Sequence, residues 1–146
     1  GFDHVAPMGK PRLVRPGRDV TVVTWGYAST RVAEVVAELA GRGIEAEVLD
    51  PRWLDEASFP RAAVLESVGR TGAIVIAEDA QHTLSMGARL LDHLQPDLHP
   101  LLRTAPRRVT GLDAYSPVSK PLEAYVHIQD DDIRAAIVAA AGKDEA

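Results

Sequence analysis

Short runs of β-branched and other apolar residues alternate along this 146-residue chain with segments in which apolar residues recur every three or four positions. The short runs predict strands that are buried on both faces of a parallel sheet. The recurring positions predict amphipathic helices that cover the sheet. The predicted strands are 12–14, 20–24, 44–49, 73–77 and 107–110. The predicted helices are 29–40, 58–71, 83–94 and a last helix that starts at 130.

Each predicted helix has an apolar face and recognisable flanking residues. Ser29 is a candidate cap for the first helix, and the three aspartates at 130–132 are expected to cap the last. Pro96 and Pro100 predict a loop, and residues 115–125 are expected to be irregular. The expected core-facing residues are Val32, Val35, Val36, Leu39 and Ala40, then Ala62, Leu65 and Val68, then Leu84, Gly87, Ala88 and Leu91 with Leu90 and Leu94 beside them, and finally Ile133, Ala136, Ile137 and Ala140.

The alternation of strands and helices predicts an α/β fold with a mostly parallel sheet and right-handed crossovers. Residues 1–10 contain glycine and proline and have no hydrophobic period, so they are interpreted as a linker. The folded domain is expected over residues 11–142, and a short tail is expected at 143–146.

The amino-acid composition and net charge exclude several classes of protein. An apolar fraction of 46% supports a buried core and excludes a disordered chain. The formal net charge of −5 argues against general nucleic-acid binding, which needs a basic surface. The sequence has no cysteine, so it has no disulfide, thiolate metal ligand or cysteine nucleophile. No apolar run approaches the roughly 20 residues of a membrane-spanning helix, and a cytoplasmic location is expected.

Functional groups in parallel sheets gather at the carboxyl ends of the strands, so the residues that follow each predicted strand are candidates. Together they predict an edge rich in acidic groups, with one arginine and two large aromatic residues. The candidate interface or crevice residues are Tyr27, Asp50, Arg52, Trp53, Glu78, His82 and Asp113. Trp25 joins Trp53 as a candidate anchor for a partner surface, and packing in the core or at its rim is the alternative for both.

The residues in these loops do not predict catalysis or cofactor binding. The turn after the second strand has only Gly26 where a dinucleotide-binding turn has G-x-G-x-x-G, and the chain has no G-x-x-x-x-G-K-[ST]. No serine lies in G-x-S-x-G, and Asp79 with His82 has no nucleophile to complete a triad. The five histidines are scattered, without metal-ligand spacing. We therefore predict no catalytic, cofactor-binding or metal-binding residue in this chain.

The order of the elements and several short motifs resemble one known family. The segment "VAPMGKPRLVRPGRDVTVVTWG" is similar to the linker and first strands of the C-terminal domain of transketolase-like proteins. The resemblance is greatest to the β subunits of thiamine-diphosphate-dependent 2-oxo acid dehydrogenases, and it covers nearly the whole chain. The later motifs that carry it are Asp50-Pro51-Arg52, Ser67 to Gly72, Glu78, Arg108 to Gly111, Asp113 and Leu122-Glu123.

Two departures from the family pattern lie at the carboxyl ends of the strands. Family members often have a histidine directly before the acid that ends the third parallel strand, and this chain has Ala77 there. Family members also often have a glycine-rich turn before the next helix, whereas this chain has Gln-His-Thr-Leu-Ser-Met-Gly over 81–87. The contacts that the family makes at this edge are therefore expected to differ.

The resemblance implies a three-layer α/β/α fold whose five-stranded sheet is mostly parallel, with a short antiparallel first strand. It implies an assembly domain, or the small subunit of a split enzyme, that holds no cofactor itself. Thiamine diphosphate and magnesium would belong to the parent enzyme, and the chain alone would be inactive. The implied partners are thiamine-binding domains or subunits, an acyltransferase core and further copies in an oligomer, with no nucleic acid and no membrane.

Two other functions remain open on the sequence. One is a free-standing ligand-binding or regulatory domain that uses the crevice at the strand ends. There Asp50, Glu78, Asp79 and Asp113 would favour a cationic or polyhydroxyl ligand over a phosphate. The other is a structural site for a monovalent cation at the same acidic edge.

Overall fold

The computed structural model describes residues 5–143, and five strands in this part of the chain form one sheet. The strands are β1 (Arg12–Arg15), β2 (Val20–Thr24), β3 (Ala46–Asp50), β4 (Ile74–Ala77) and β5 (Arg107–Val109). The helices are α1 (Tyr27–Ala40), α2 (Arg61–Thr71), α3 (Met86–Leu98), α4 (Lys120–Val126) and α5 (Asp130–Ala141), with a 3₁₀ turn at His99–Leu101. The predicted linker and tail fall partly on 1–4 and 144–146, which lie outside the described residues.

The sheet has the strand order β1-β3-β2-β4-β5. β2 pairs in parallel with β3 and β4, and β4 pairs in parallel with β5. β1 is antiparallel to β3, with an irregularity between Leu13 and Arg15. β2 and β4 are buried along their whole length, as expected for apolar strands covered on both faces. These observations confirm the predicted mostly parallel sheet with a short antiparallel first strand.

Helices cover both faces of the sheet and create two hydrophobic cores. α1 and α5 pack on one face, where the buried residues include Val32, Val36, Ile133 and Ile137. α2 and α3 pack on the other face, where the buried residues include Val64, Val68, Leu90 and Leu94. The two faces complete the predicted three-layer architecture. In the described part of the chain, no helix has the length and hydropathy needed to cross a bilayer.

The caps predicted for the first and last helices are wrong. α1 begins at Tyr27, and the Ser29 hydroxyl donates a hydrogen bond back to the Gly26 carbonyl at 2.6 Å instead of accepting a helix N–H. At α5 the cap position is Gln129, whose side chain makes no capping hydrogen bond. The three aspartates occupy the first turn of α5, where their charge suits the positive end of the helix dipole.

The third predicted helix is displaced toward the carboxyl terminus. α3 begins at Met86, because Ser85 Oγ accepts a backbone N–H of the first turn at 3.2 Å and so caps the helix. Leu84 lies outside the helix and is exposed, which corrects its predicted place in the core. Pro96 lies inside α3 instead of in a loop. The helix continues past this proline to Leu98, which is buried.

Two further predictions about helices are corrected by the structure. Ala62 is exposed, and α2 instead buries Ser67 and Thr71, because both hydroxyls form hydrogen bonds with Thr21 of β2, at 2.6 and 2.8 Å. Residues 115–125, which were expected to be irregular, contain most of α4. This helix buries none of its residues, although Leu122, Tyr125 and Val126 recur at helical spacing.

Candidate functional site

The carboxyl ends of β2, β3, β4 and β5 lie at one edge of the sheet, which we call the carboxyl edge. The chain leaves β2 for a helix on one face of the sheet and leaves β3 and β4 for helices on the other face. Where neighbouring loops leave toward opposite faces of the sheet, a crevice opens between them. Parallel sheets commonly bind ligands in such a crevice. Asp50 ends β3 and the other six candidate residues follow these strands, but their side chains fall into separate groups.

Glu78 directly follows β4, and its carboxylate is buried instead of facing a ligand. Only 1% of the residue is exposed, and Oε1 accepts the backbone N–H of Gly87 in the first turn of α3 at 2.9 Å. The free N–H groups of a helix amino terminus often bind phosphate. At the start of α3, the Glu78 carboxylate occupies part of the place where such a phosphate would bind. The Ser85 hydroxyl accepts another N–H of the same turn.

Asp50, Arg52 and Trp53 form a tight turn after β3. Asp50 Oδ1 accepts the backbone N–H of Arg52 at 2.9 Å, which supports the left-handed backbone of Arg52 (φ 60°). The indole N–H of Trp53 lies 3.4 Å from the Pro7 carbonyl, so the turn contacts the amino-terminal segment. Trp53 and Trp25 are both half-buried, and Trp25 packs against the core beneath α2 and α3. Their half-buried positions fit packing at the rim of the core, and a role as partner anchors stays a prediction.

His82 and Asp113 lie close together beside β5. Thr83 donates two hydrogen bonds to Asp113, from its hydroxyl at 2.6 Å and its backbone N–H at 2.7 Å, and these hold the pKa of the Asp113 carboxyl below its ordinary value. His82 Nδ1 lies 3.2 Å from Thr110 Oγ1, and Arg108 donates to the His82 carbonyl. These contacts join the loops after β4 and β5 beside an open groove of about 690 Å³.

Tyr27 belongs to a cluster whose other members were not among the seven interface candidates, although Asp79 was among the acidic groups expected to line a crevice. Its ring meets the His127 ring edge-on, with centroids 6.4 Å apart. His127 Nδ1 donates to the Asp79 carboxylate at 2.9 Å, and Arg31 pairs with Asp130 at 2.6 Å. The two pairs join residues 48 and 99 positions apart, so a local sequence pattern could not reveal them. The cluster ties the start of α1 and the loop after β4 to the start of α5.

The candidate residues therefore do not converge on one open acidic crevice. The carboxylates of Asp50, Glu78 and Asp113 each accept a hydrogen bond from the chain's own backbone, which leaves them less capacity for a cationic or polyhydroxyl ligand. Among residues 5–143, no group of three His, Cys, Asp or Glu side chains is arranged to hold a metal ion. The contacts described here join loops of this chain, and a role for the seven residues at an interface stays a prediction.

A concentration of exposed apolar side chains lies on the segment that contains α4. Tyr115 is 95% exposed, and α4 buries none of its residues. The exposed large apolar residues of this segment are Leu112, Tyr115, Val118, Leu122 and Tyr125, and we call them the 112–125 surface. Five large apolar side chains exposed within one short segment make that segment a candidate for a protein–protein contact. The sequence prediction missed this surface, because it treated the segment as an irregular loop.

The sequence of this chain matches one protein family and is similar to known enzyme subunits. Residues 9–133 match the family described as the C-terminal domain of transketolase. The chain is 31% identical over 121 residues to the β subunit of the pyruvate dehydrogenase E1 component of Rhizobium meliloti, covering 83% of this chain and 26% of that protein. It is 32% identical over 120 residues to the β subunit of acetoin:2,6-dichlorophenolindophenol oxidoreductase of Bacillus subtilis, covering 82% of this chain and 34% of that protein.

A solved structure extends this similarity to three dimensions. A split-gene transketolase, described as an inactive β4 tetramer, superposes with a TM-score of 0.76 at 26% sequence identity. The match covers 97% of this chain and 44% of that chain. The chain thus spans less than half the length of each of these three proteins. These findings confirm the family resemblance that the motifs indicated.

Proposed function

Because this chain belongs to the transketolase C-terminal domain family, we propose that it is the assembly domain of a thiamine-diphosphate-dependent enzyme of the 2-oxo acid dehydrogenase or transketolase type. It acts either as the C-terminal domain of a longer chain or as the small subunit of a split enzyme. In both cases the parent enzyme holds thiamine diphosphate and magnesium in other domains, and this domain supports their association.

The observation that carries the proposal is the 112–125 surface. Each of its two tyrosines, Tyr115 and Tyr125, can bury about 150–250 Å² against a partner. Together with three exposed aliphatic side chains, they supply a large part of the roughly 800 Å² that one partner contributes to a stable interface. The proposed occupant of this surface is a thiamine-binding domain of the parent enzyme.

The proposal assigns no cofactor to this domain. A pyrophosphate group needs free backbone N–H groups or a metal ion held by carboxylates. Glu78 already accepts an N–H at the start of α3, and the Arg31 guanidinium in α1 is already paired with Asp130 (2.6 Å). These residues do not fit the pyrophosphate of thiamine diphosphate, so the proposed chemistry lies in the companion domains.

The further partners of the domain depend on the type of parent enzyme. In a 2-oxo acid dehydrogenase, the proposed partners are the thiamine-binding subunits and the acyltransferase core of the complex. In a split transketolase, they are the thiamine-binding subunit and further copies of the assembled enzyme. Both cases place the 112–125 surface against protein.

Calorimetric titration tests the proposal with the full chain and the polypeptide of the same organism that carries the thiamine-binding domains. The wild-type chain is expected to bind that polypeptide. Leu122→Ser removes an apolar side chain from the 112–125 surface and is expected to weaken binding by about tenfold or more.

Leu13→Ser is the matched control for this experiment. Leu13 lies in β1 and is 54% exposed, whereas Leu122 is 57% exposed, so the two substitutions remove similar amounts of exposed apolar surface. Leu13→Ser is expected to leave binding unchanged. Absence of binding by the wild-type chain, or equal weakening by both substitutions, would contradict the proposal.

A further inference from the structure

The strand β5 (Arg107–Val109) lies at one edge of the sheet and pairs on one side only, with β4. The Val109 carbonyl accepts the backbone N–H of Glu78 at 3.0 Å in this parallel pairing. Because alternate residues of a parallel strand bond to the same neighbour, the backbone groups of Arg107 and Val109 face β4 and those of Arg108 point away from it. Among the strands of the described residues, none lies on that side of β5, so the strand offers an open edge.

The groove of about 690 Å³ described above runs along this edge strand. Residues 107–113 line it on one side, and α5 lines it on the other with the small side chains of Ala135, Ala136 and Ala139. Small side chains allow another backbone to come close to the strand. The three residues of β5 span about 10 Å, which matches a short extended segment. Extended peptides bind open sheet edges through main-chain hydrogen bonds, and the side chains beside the edge select the sequence.

The two arginines of β5 give this edge a positive charge. Arg107 is exposed, and no described residue forms a hydrogen bond or an ion pair with it. Arg108 donates to the His82 carbonyl, and within the described part of the chain no carboxylate pairs with its guanidinium. Two acidic residues also line the groove, but Asp113 already accepts two hydrogen bonds and Asp132 lies in the first turn of α5. The unpaired charge on the strand itself is therefore positive.

We propose that β5 accepts an added strand from an acidic segment of another protein, whose carboxylates lie beside Arg107 and Arg108. Backbone hydrogen bonds to Arg108 hold the segment, and the alanines of α5 contact its aliphatic side chains. The charge argues against a second copy of this chain, because antiparallel pairing of two β5 strands would bring the arginines of both copies together. The contact is additional to the proposed assembly through the 112–125 surface, which shares only Leu112 with the groove.

Calorimetric titration of the full chain with two synthetic peptides tests the proposal. Both are short blocked peptides of alternating residues, one of valine and glutamate and the other of valine and lysine. The wild-type chain is expected to bind the glutamate peptide about tenfold or more tightly than the lysine peptide. Binding of the glutamate peptide is also expected to weaken as the salt concentration rises, because salt screens exposed charges.

Charge reversal at the edge strand separates a specific contact from an effect of net charge. Arg107→Glu is expected to weaken binding of the glutamate peptide by about tenfold or more and to strengthen binding of the lysine peptide. Arg12→Glu is the matched control, because Arg12 is an exposed arginine of β1, the strand at the opposite edge of the sheet. It makes the same change in net charge and is expected to leave both affinities unchanged.

The same variants distinguish this contact from the proposed function. Neither Arg107 nor Arg12 belongs to the 112–125 surface, so both variants are expected to bind the thiamine-binding polypeptide as the wild type does. Leu122→Ser is expected to weaken binding of that polypeptide and to leave binding of the glutamate peptide unchanged. Each proposal can therefore fail without the other.

Hydrogen exchange shows whether the peptide adds to the strand. The backbone N–H of Arg108 is expected to exchange more slowly in the complex with the glutamate peptide, because the added strand accepts it. A wild-type chain that binds neither peptide, or binds both equally, has no site for an acidic strand. Equal weakening by Arg107→Glu and Arg12→Glu would reduce the effect to net charge, and unchanged exchange at Arg108 would place the peptide elsewhere.

Discussion

Replacing Gly87 with alanine is expected to destabilise this domain, although alanine is normally the better helix residue. Gly87 lies in the first turn of α3, and a Cβ atom at this position would overlap Glu78 Oε1 and lie 2.9 Å from Ile76 Cγ2. Glu78 and Ile76 are both buried, so the packed core leaves little space into which either side chain can move. The glycine is therefore what allows the Glu78 carboxylate to reach the helix.

The expected change in the free energy of unfolding combines two destabilising contributions and one stabilising contribution. Forcing an additional carbon into a packed interior costs about 1–3 kcal/mol. Displacing Glu78 weakens its 2.9 Å hydrogen bond with the Gly87 N–H, and a bond to a charged group contributes about 1.5–3 kcal/mol. The higher helix propensity of alanine returns up to about 1 kcal/mol. We expect the free energy of unfolding to fall by about 1.5–6 kcal/mol in total.

Urea denaturation measures this change in the free energy of unfolding. Gly69→Ala is the matched control, because Gly69 lies in α2 and a Cβ atom there would have no other heavy atom within 4 Å. That control is expected to gain about 0.5–1 kcal/mol of stability, as glycine-to-alanine changes in open helix positions do. A Gly87→Ala variant as stable as Gly69→Ala would refute the reasoning about Glu78.

Two further substitutions test contacts at the carboxyl edge. His127→Ala removes the donor to Asp79 and is expected to lower the free energy of unfolding by about 1–3 kcal/mol in urea denaturation, and a change below about 0.5 kcal/mol would speak against that contact. Because the pKa of the Asp113 carboxyl is lowered in the folded chain, its stabilising effect is complete above the unfolded pKa of about 4 and is lost as the pH falls through the folded pKa. Asp113→Asn should therefore lose less stability than the wild type on acidification in a thermal-unfolding series. An identical acid response of the two proteins would exclude the proposed effect of Thr83 on Asp113.

The central strands were predictable because their signal is local. β2 and β4 are short apolar runs rich in β-branched residues, which is the pattern of strands covered on both faces. The same holds for α1 and α5, whose apolar residues recur with the helical period. Val32, Val36, Ile133 and Ile137 were all expected to face the core, and all are buried.

The start of α3 and the existence of α4 could not be predicted from a local apolar pattern. Thr83 and Ser85 are both suitable helix caps by residue type. The choice between them depends on Asp113, which accepts the Thr83 hydroxyl and leaves Ser85 as the cap. α4 is only seven residues long and has Pro121 in its first turn, so its apolar residues Leu122, Tyr125 and Val126 did not indicate a helix.

In the candidate site, the positions of the residues were predictable from the sequence, but their hydrogen-bond partners were not. The acidic residues after the strands were located correctly by their position, since Glu78 and Asp113 follow β4 and β5. Their hydrogen-bond partners come from other loops, and the Asp79–His127 pair joins residues 48 positions apart. A single sequence gives no indication of such pairs, so it suggested an open acidic crevice where the structure has carboxylates bonded to the chain itself.

Whether this domain assembles an enzyme without holding its cofactor can be decided by one assay of turnover. 2-Oxo acid and ketose substrates are supplied with thiamine diphosphate and Mg²⁺ to this chain alone, to the companion thiamine-binding polypeptide alone, and to both together. Turnover is expected only when both polypeptides are present. Turnover by this chain alone, or an equal rate for the companion with and without it, would show that the domain is not an assembly domain.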